Sequence, residues 1–177
     1  MTGTTIAAAL QRARSVYERR PQAALHEDAP ATARWAGGTR IESRHPQGHA
    51  VHSDMPVEFG GAGDAPSPGW LFRAGLAACT ATCIALVAAE RGVSLELLEV
   101  EAASRSDARG LLGMQDGAGK PVPVATRDLR MHVRLGAGGV GESQLSAIAT
   151  EGLRRSPVYA ALAAAALVAT RVEVRSA

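Results

Sequence analysis

Hydrophobic and polar positions recur with two different periods along this chain, and each change of period marks a change of element. From Thr4 to Arg20 the apolar residues Ile6, Leu10, Ala13 and Val16/Tyr17 fall at helical spacing. The polar stretch Pro21 to Pro30 separates this helix from the rest of the chain. That predicts a helical extension and linker over residues 1–28 and a main domain over 29–177. From Ala31 the period drops to two. Ala31 to Trp35 alternates, and Gly37-Gly38 is a two-residue hairpin signal. Arg40 to Arg44 runs back, and Pro46-Gln47-Gly48 turns the chain into His49 to Asp54. The pattern predicts a three-stranded meander.

A loop containing Phe59-Gly60-Gly61 ends in Ser67-Pro68, where serine suits an N-cap and proline the first helical position. The stretch from there to Arg91, closed by Gly92, is apolar nearly all round, as in a helix buried on most faces. Next, Leu98, Val100 and Ala102 alternate with Glu99 and Glu101, while Leu129, Met131, Val133 and Leu135 alternate with Arg130, His132 and Arg134. One outward face is acidic and the other basic, which suits antiparallel neighbours joined by the glycine-rich loop Gly110 to Pro123. Glu142 to Arg155 is an amphipathic helix, Ser156-Pro157 starts another, and Val168, Thr170, Val172 and Val174 form a last strand. After the first helix the order reads βββ-α-ββ-αα-β. This is an α+β fold with antiparallel sheets wrapped around a long buried central helix. That helix has more apolar surface than one set of these strands can cover, so a homodimer is expected.

Composition narrows the function. A chain of 177 residues can bury a core without disulfide staples, and 46% apolar against 20% charged residues describes a globular protein. A net charge of +2 and only 3% aromatics argue against a nucleic-acid partner. The uncharged run Ala74 to Ala89, closed by Arg73 and Glu90, is shorter than the roughly 20 residues a membrane helix needs, so no membrane partner is expected. Ile6 to Leu10 is followed at once by Arg12 and Arg14, which leaves no export-signal core. With two cysteines, this predicts a reducing cytoplasmic setting.

Three patterns carry candidate chemistry. Gly136-x-Gly138-x-x-Gly141 has dinucleotide-loop spacing, but its strand has a charged outer face and no acidic residue ends a second strand about 20 residues on; it reads as a turn, with no cofactor expected. His45, His49 and His52 read as solvated strand residues rather than metal ligands, since His49 and His52 point to opposite faces of a strand. Cys79 and Cys83, four residues apart, share a helical stripe with Phe72, Leu76 and Leu86. A disulfide between them requires distortion of the helix.

The run Ser67-Pro68-Gly69-Trp70-Leu71-Phe72-Arg73-Ala74-Gly75-Leu76-Ala77-Ala78-Cys79 resembles the central-helix signature of the OsmC/Ohr family. Phe59-Gly60-Gly61 before it, then Asp107-Ala108-Arg109-Gly110 and Ser156-Pro157-Val158 after it, fit the same ordered pattern from about Ala31 to Arg175. The resemblance implies an intertwined homodimer. In peroxidase members a central-helix cysteine attacks an organic hydroperoxide, becomes a sulfenic acid, and is resolved by a second cysteine that starts a later helix. Cys79 matches the first position, but the second is Ser156, which is expected to act as a helix cap alone. An arginine near the thiol is matched by Arg40, while the glutamate that orients it in the family is replaced by Gly69. The resemblance leaves two functions open. One is a thiol-dependent hydroperoxide reductase using Cys79 and Arg40, with turnover completed by an external thiol or by Cys83. The other is a non-catalytic binding or stress-response protein that takes an apolar small molecule after its peroxidase machinery has decayed.

Overall fold

Serine-proline starts, glycine turns and two-residue alternation place the elements where their local chemistry favours them. The computed structural model describes residues 3–165 and 169–174. Val168 of the expected last strand and Arg175 at the end of the resemblance lie outside the described residues. Contacts along the chain divide it into two units, Ala8–Gly75 and Met1–Ala7 with Leu76–Ala177. Helices α1 (Gly3–Arg19) and α2 (Pro68–Glu90) each run through a boundary between them.

Within Ala8–Gly75, strands β1 (Thr32–Trp35), β2 (Ile41–Arg44) and β3 (Ala50–Ser53) form the expected antiparallel meander, in the order β1-β2-β3. Trp35 pairs with Ile41 across the Gly37-Gly38 turn, and Ile41 pairs with Ser53 on its other side. Both glycines there have positive φ, as the tight turn demands. His45 and His49 lie at the far end, their rings 6.1 Å apart, whereas His52 stands in register with Glu42, 3.8 Å from its carboxylate. The loop after β3 has a steric requirement. Gly60 takes a left-handed conformation (φ 81°), and a Cβ on Gly61 would lie 1.8 Å from the Met55 carbonyl oxygen. Both glycines of the Phe59-Gly60-Gly61 signature are therefore demanded by the backbone.

Helix α2 starts as its Ser-Pro dipeptide predicts, with the Ser67 hydroxyl accepting the Trp70 amide at 3.2 Å. Its 23 residues exceed the uncharged run counted in the sequence, because Arg73 is accommodated in the first turns. By length and composition it is apolar enough to cross a membrane, a property that core helices share. From Leu76 onward, Leu76, Thr80, Ile84 and Val87 are buried along one stripe, while Ala78 and Thr82 on another face are exposed.

The stripe packs into a sheet of β4 (Leu97–Arg105), β5 (Arg127–Gly136) and β6 (Ala169–Val174), ordered β4-β5-β6. The inward residues of β5 are the expected ones: Leu129, Met131, Val133 and Leu135 are buried. Across its outer face Glu99 pairs with Arg134 and Glu101 stands opposite His132, as the opposed charges predict. A four-residue helix α3 (Ala108–Leu111) interrupts the β4–β5 connection. One pairing departs from the antiparallel expectation, because β6 lies parallel to β5. The reason is the connection. β5 and β6 are joined by α4 (Glu142–Arg155) and α5 (Pro157–Ala165), and a helical crossover returns the chain in its original direction. Gly136 to Gly141 forms the turn into α4, with Gly139 at φ 70°.

The core gathers Ile84, Val87 and Ala88 of α2, Val133 and Leu135 of β5, and Leu145, Ile148 and Ala149 of α4. A second cluster joins Leu76 to Leu129, Met131 and Leu153. At the crossing of α2 and α4, a Cβ on Gly152 would stand 2.6 Å from the Ile84 Cα. Two backbones meet there with no room for a methyl group. Helix propensity alone favours alanine over glycine by about 0.5–1 kcal/mol. The contact reverses that sign: Gly152→Ala should destabilise the fold by about 1–3 kcal/mol, the usual cost of overpacking. A urea unfolding midpoint that falls at constant slope checks this, and a rise would mean that the helices separate freely.

Candidate functional site

Because Gly152 lets α2 and α4 touch, the end of α4 brings Ser156 against the middle of α2. The Ser156 hydroxyl lies 3.3 Å from Cys79 Sγ and donates to it. It is also 3.3 Å from Thr80 Oγ1, and it accepts the Tyr159 amide at 3.4 Å. Ser156 and Thr80 are completely buried, whereas Cys79 and Cys83 are free thiols of intermediate exposure. The capping contact to Tyr159 is the longest of the three. Ser156 is thus a helix cap whose proton points at a cysteine, which the dipeptide pattern does not reveal. Nor does the sequence single out Thr80. Its position in the buried stripe, four residues before Ile84, is a signal that identifies it as inward but not as part of a polar cluster.

Cys83 sits one turn further along and donates to the Arg155 carbonyl at 3.5 Å. Burial pushes its thiol up, the neighbouring Cys79 adds to this, and the Arg155 charge opposes it. Cys83 is accordingly held as a protonated thiol. The Arg155 guanidinium bridges the two helices, reaching Glu90 at 2.7 Å and Glu151 at 2.5 Å. Glu151 also takes both arms of Arg154 at 2.7 and 2.8 Å.

Arg40 belongs to the Ala8–Gly75 unit, at the exit of the first hairpin. Its Nη2 donates to Asp64 at 2.6 Å and stands 3.4 Å from Asp54. Asp54 is 3% exposed and satisfied from four directions. Besides Arg40, it accepts the Thr39 hydroxyl at 2.6 Å and the amides of Met55 and Ala62, each at 2.9 Å. The Thr39 hydroxyl and the Ala62 amide hold its carboxyl below the usual range, against the opposing effect of burial. Gly69 removes one expected partner of Arg40, but the loop after β3 supplies two carboxylates. A cleft of about 400 Å³ lies beside them, lined in part by Asp54, Ser67, Trp70 and Arg73. Among the described residues no group of three His, Cys, Asp or Glu side chains is arranged to hold a metal.

Comparison with known proteins identifies the family of the chain. The family model for OsmC-like protein matches residues 61–171, which contain Cys79, Cys83 and Ser156. The chain belongs to the OsmC-like protein family. No curated protein matches its sequence. Solved OsmC-like structures share its fold at low identity. An OsmC-like protein from Mycoplasma pneumoniae is 15% identical with a TM-score of 0.68, covering 86% of this chain and 99% of that one. An organic hydroperoxide resistance protein from Legionella pneumophila is 24% identical with a TM-score of 0.58, covering 85% and 98%. The organic hydroperoxide resistance protein OhrB of Bacillus subtilis is 18% identical with a TM-score of 0.53, covering 84% and 98%.

In this OsmC-like chain the helix contact that carries the thiol is also tied electrostatically. Arg154 and Arg155 together hold the Glu151 carboxyl at about 2, against an ordinary 4.5. Folding therefore favours the charged form. The resulting stability is present above pH 4.5 and is lost as pH falls toward 2. Glu151→Gln should be less stable than the parent at neutral pH, with the two urea midpoints converging as the pH approaches 2. A gap that stays constant over that window would show that the carboxylate charge is not what Arg155 requires.

Proposed function

We propose that this protein is a thiol-dependent reductase of organic hydroperoxides, acting as a homodimer with Cys79 as its single reacting thiol. The observation that carries the reading is the Ser156 hydroxyl, fully buried and 3.3 Å from Cys79 Sγ, at the position that matches the family's second cysteine. A hydroxyl there can hold the sulfur but cannot form a disulfide with it. The substrate class is supported by the names of the Legionella and Bacillus neighbours.

The chemistry balances without a second protein thiol. The Cys79 thiolate attacks the distal hydroperoxide oxygen and the O–O bond breaks. Cys79 becomes a sulfenic acid, and the alkoxide leaves as an alcohol after taking one proton. A small external thiol condenses with the sulfenic acid and releases water. A second thiol displaces the mixed disulfide and regenerates Cys79. One hydroperoxide and two thiols thus give an alcohol, water and one external disulfide. Arg40 is the cation that the family resemblance implies for the thiolate, and within its own unit its guanidinium is held by Asp54 and Asp64. Cys83 is an accessory thiol that remains reduced. No cofactor or metal is assigned, and a reducing cytoplasm supplies the external thiol.

Assembly is supported by the surfaces a single chain leaves bare. Trp35 on the meander is 74% exposed, and Trp70 and Phe72 at the start of α2 are 51% and 42% exposed. A second copy covers such surfaces as the two halves of a divided core cover each other. Light scattering at micromolar concentration should give a dimer, and a stable compact monomer would refute the assembly.

Peptide mass mapping after one equivalent of organic hydroperoxide tests the chemistry. One oxygen should add at Cys79 alone and persist when no thiol is supplied, and further equivalents of hydroperoxide should carry it along the sulfinic and sulfonic ladder. Ser156→Cys should instead form an internal disulfide with Cys79. Absence of any addition at Cys79 would leave the non-catalytic binding protein, which Gly69 at the glutamate position favours. A clean Cys79–Cys83 disulfide would overturn the one-thiol scheme.

A further inference from the structure

We propose that Ser156 is a positioning residue for Cys79: its hydroxyl, aligned by Thr80 and by the first turn of α5, is a fixed donor that holds the Cys79 sulfur in its reactive form. The idea rests on Cys79 being the reacting thiol, and it adds a role for a side chain that otherwise serves only as a cap.

One arrangement of the hydroxyl aims its proton at the Cys79 sulfur and satisfies all its neighbours. A serine hydroxyl has one proton to give and two lone pairs to fill. The Tyr159 amide occupies one lone pair, at 3.4 Å. Thr80 Oγ1, 3.3 Å away and equally buried, fills the second when it donates. The single proton of Ser156 is then directed along the 3.3 Å contact to Cys79 Sγ. No water-exposed alternative competes, because Ser156 and Thr80 are both at 0% exposure. A donor of this kind favours a thiolate over a thiol, since a hydrogen bond to a charged acceptor is roughly twice as strong as one to a neutral acceptor. It serves the sulfenate product in the same way. A thiol in its place would offer a weak donor and an oxidisable sulfur. The buried hydroxyl gives the electrostatic benefit without the disulfide.

Within the unit that holds Cys79 and Ser156, few charged and titratable groups surround the pair among the described residues. Cys83 lies on the same face of α2, Arg155 with Glu90 and Glu151 closes the end of α4, and Tyr159 lies in the first turn of α5. All of them persist in a serine variant, so a change in the titration of Cys79 reports on the hydroxyl.

The experiment follows the rate of iodoacetamide alkylation at Cys79 against pH in the full-length protein, with each cysteine resolved by peptide mass mapping. Ser156→Ala should raise the midpoint by about one pH unit, equivalent to a tenfold slower reaction on the rising limb. Ser156→Thr keeps the hydroxyl and should restore the parent midpoint. Thr80→Val removes the aligning partner alone and should move the midpoint the same way by less. A cap without a chemical role predicts a lower melting temperature for Ser156→Ala with no change in midpoint, and that outcome overturns the proposal. If Ser156→Ala fails to fold, an unchanged midpoint in Thr80→Val overturns it equally. The test needs no hydroperoxide. A shifted midpoint together with an inert Cys79 in the oxidation assay would discard the peroxidase reading and keep the hydrogen bond. Oxidation with no shift would do the reverse.

Discussion

The contact between Ile84 and Gly152 is the constraint from which the thiol site follows. With no side chain on residue 152, α2 and α4 approach backbone to backbone. One turn back along α2 from Ile84 is Thr80, and one turn on from Gly152 is Ser156. A helical turn rises about 5.4 Å, so the pairs Ile84–Gly152 and Thr80–Ser156 are successive rungs of the same contact. A larger residue at the first rung would hold the second apart, and the 3.3 Å spacings to Cys79 and Thr80 would be lost. Arg155, reaching both Glu90 and Glu151, reinforces the rung from outside with charge. Packing sets the distance, and electrostatics keeps it under solvent.

The sheets are where sequence and structure agree most closely. Period-two alternation identifies every inward residue of β5, because a half-buried strand must alternate. The opposed charges of Glu99 and Arg134 pick out its neighbour. The direction of β6 was not legible. Residue alternation carries no information on parallel against antiparallel pairing, and the double-helix crossover decides it. In the site, Cys79, Cys83 and Ser156 were all visible as residue types, and the structure brings these three together. Their hydrogen bonds were not visible, since Ser156 lies 77 residues from Cys79 and Ser-Pro has a sufficient local explanation as a helix start. Thr80 was hidden for the opposite reason: a threonine inside an apolar helix looks like filler until a buried partner is found. The support for Arg40 was hidden because the family pattern points only to the glutamate position. Asp54 and Asp64 reach it from a loop whose closure depends on two glycines.

The meander and the main sheet use polar residues differently. Around β5, charge is confined to the outer face and the inner face is wholly apolar. In the Ala8–Gly75 unit the most deeply buried side chains are polar, Ser53 and Asp54. A carboxylate with four donors fixes that loop where an apolar cluster would otherwise be needed. Buried polar groups are costly unless satisfied, so such a hub is exacting about its neighbours and specifies one conformation. The same hub holds Arg40 through Asp54 and Asp64, so the arginine and the loop are fixed together.

The parallel crossover also imposes an order in time. β4 and β5 are joined locally and can pair as soon as both have been made. β6 must wait for α4 and α5, and the hydroxyl that faces Cys79 belongs to the joint between those two helices. Long-range pairings of this kind form late. During synthesis the Cys79 thiol therefore emerges well before the serine that orients it. Throughout that interval Cys79 has no Ser156 hydroxyl beside it, and the contact between the two is completed only once the last third of the chain has been made.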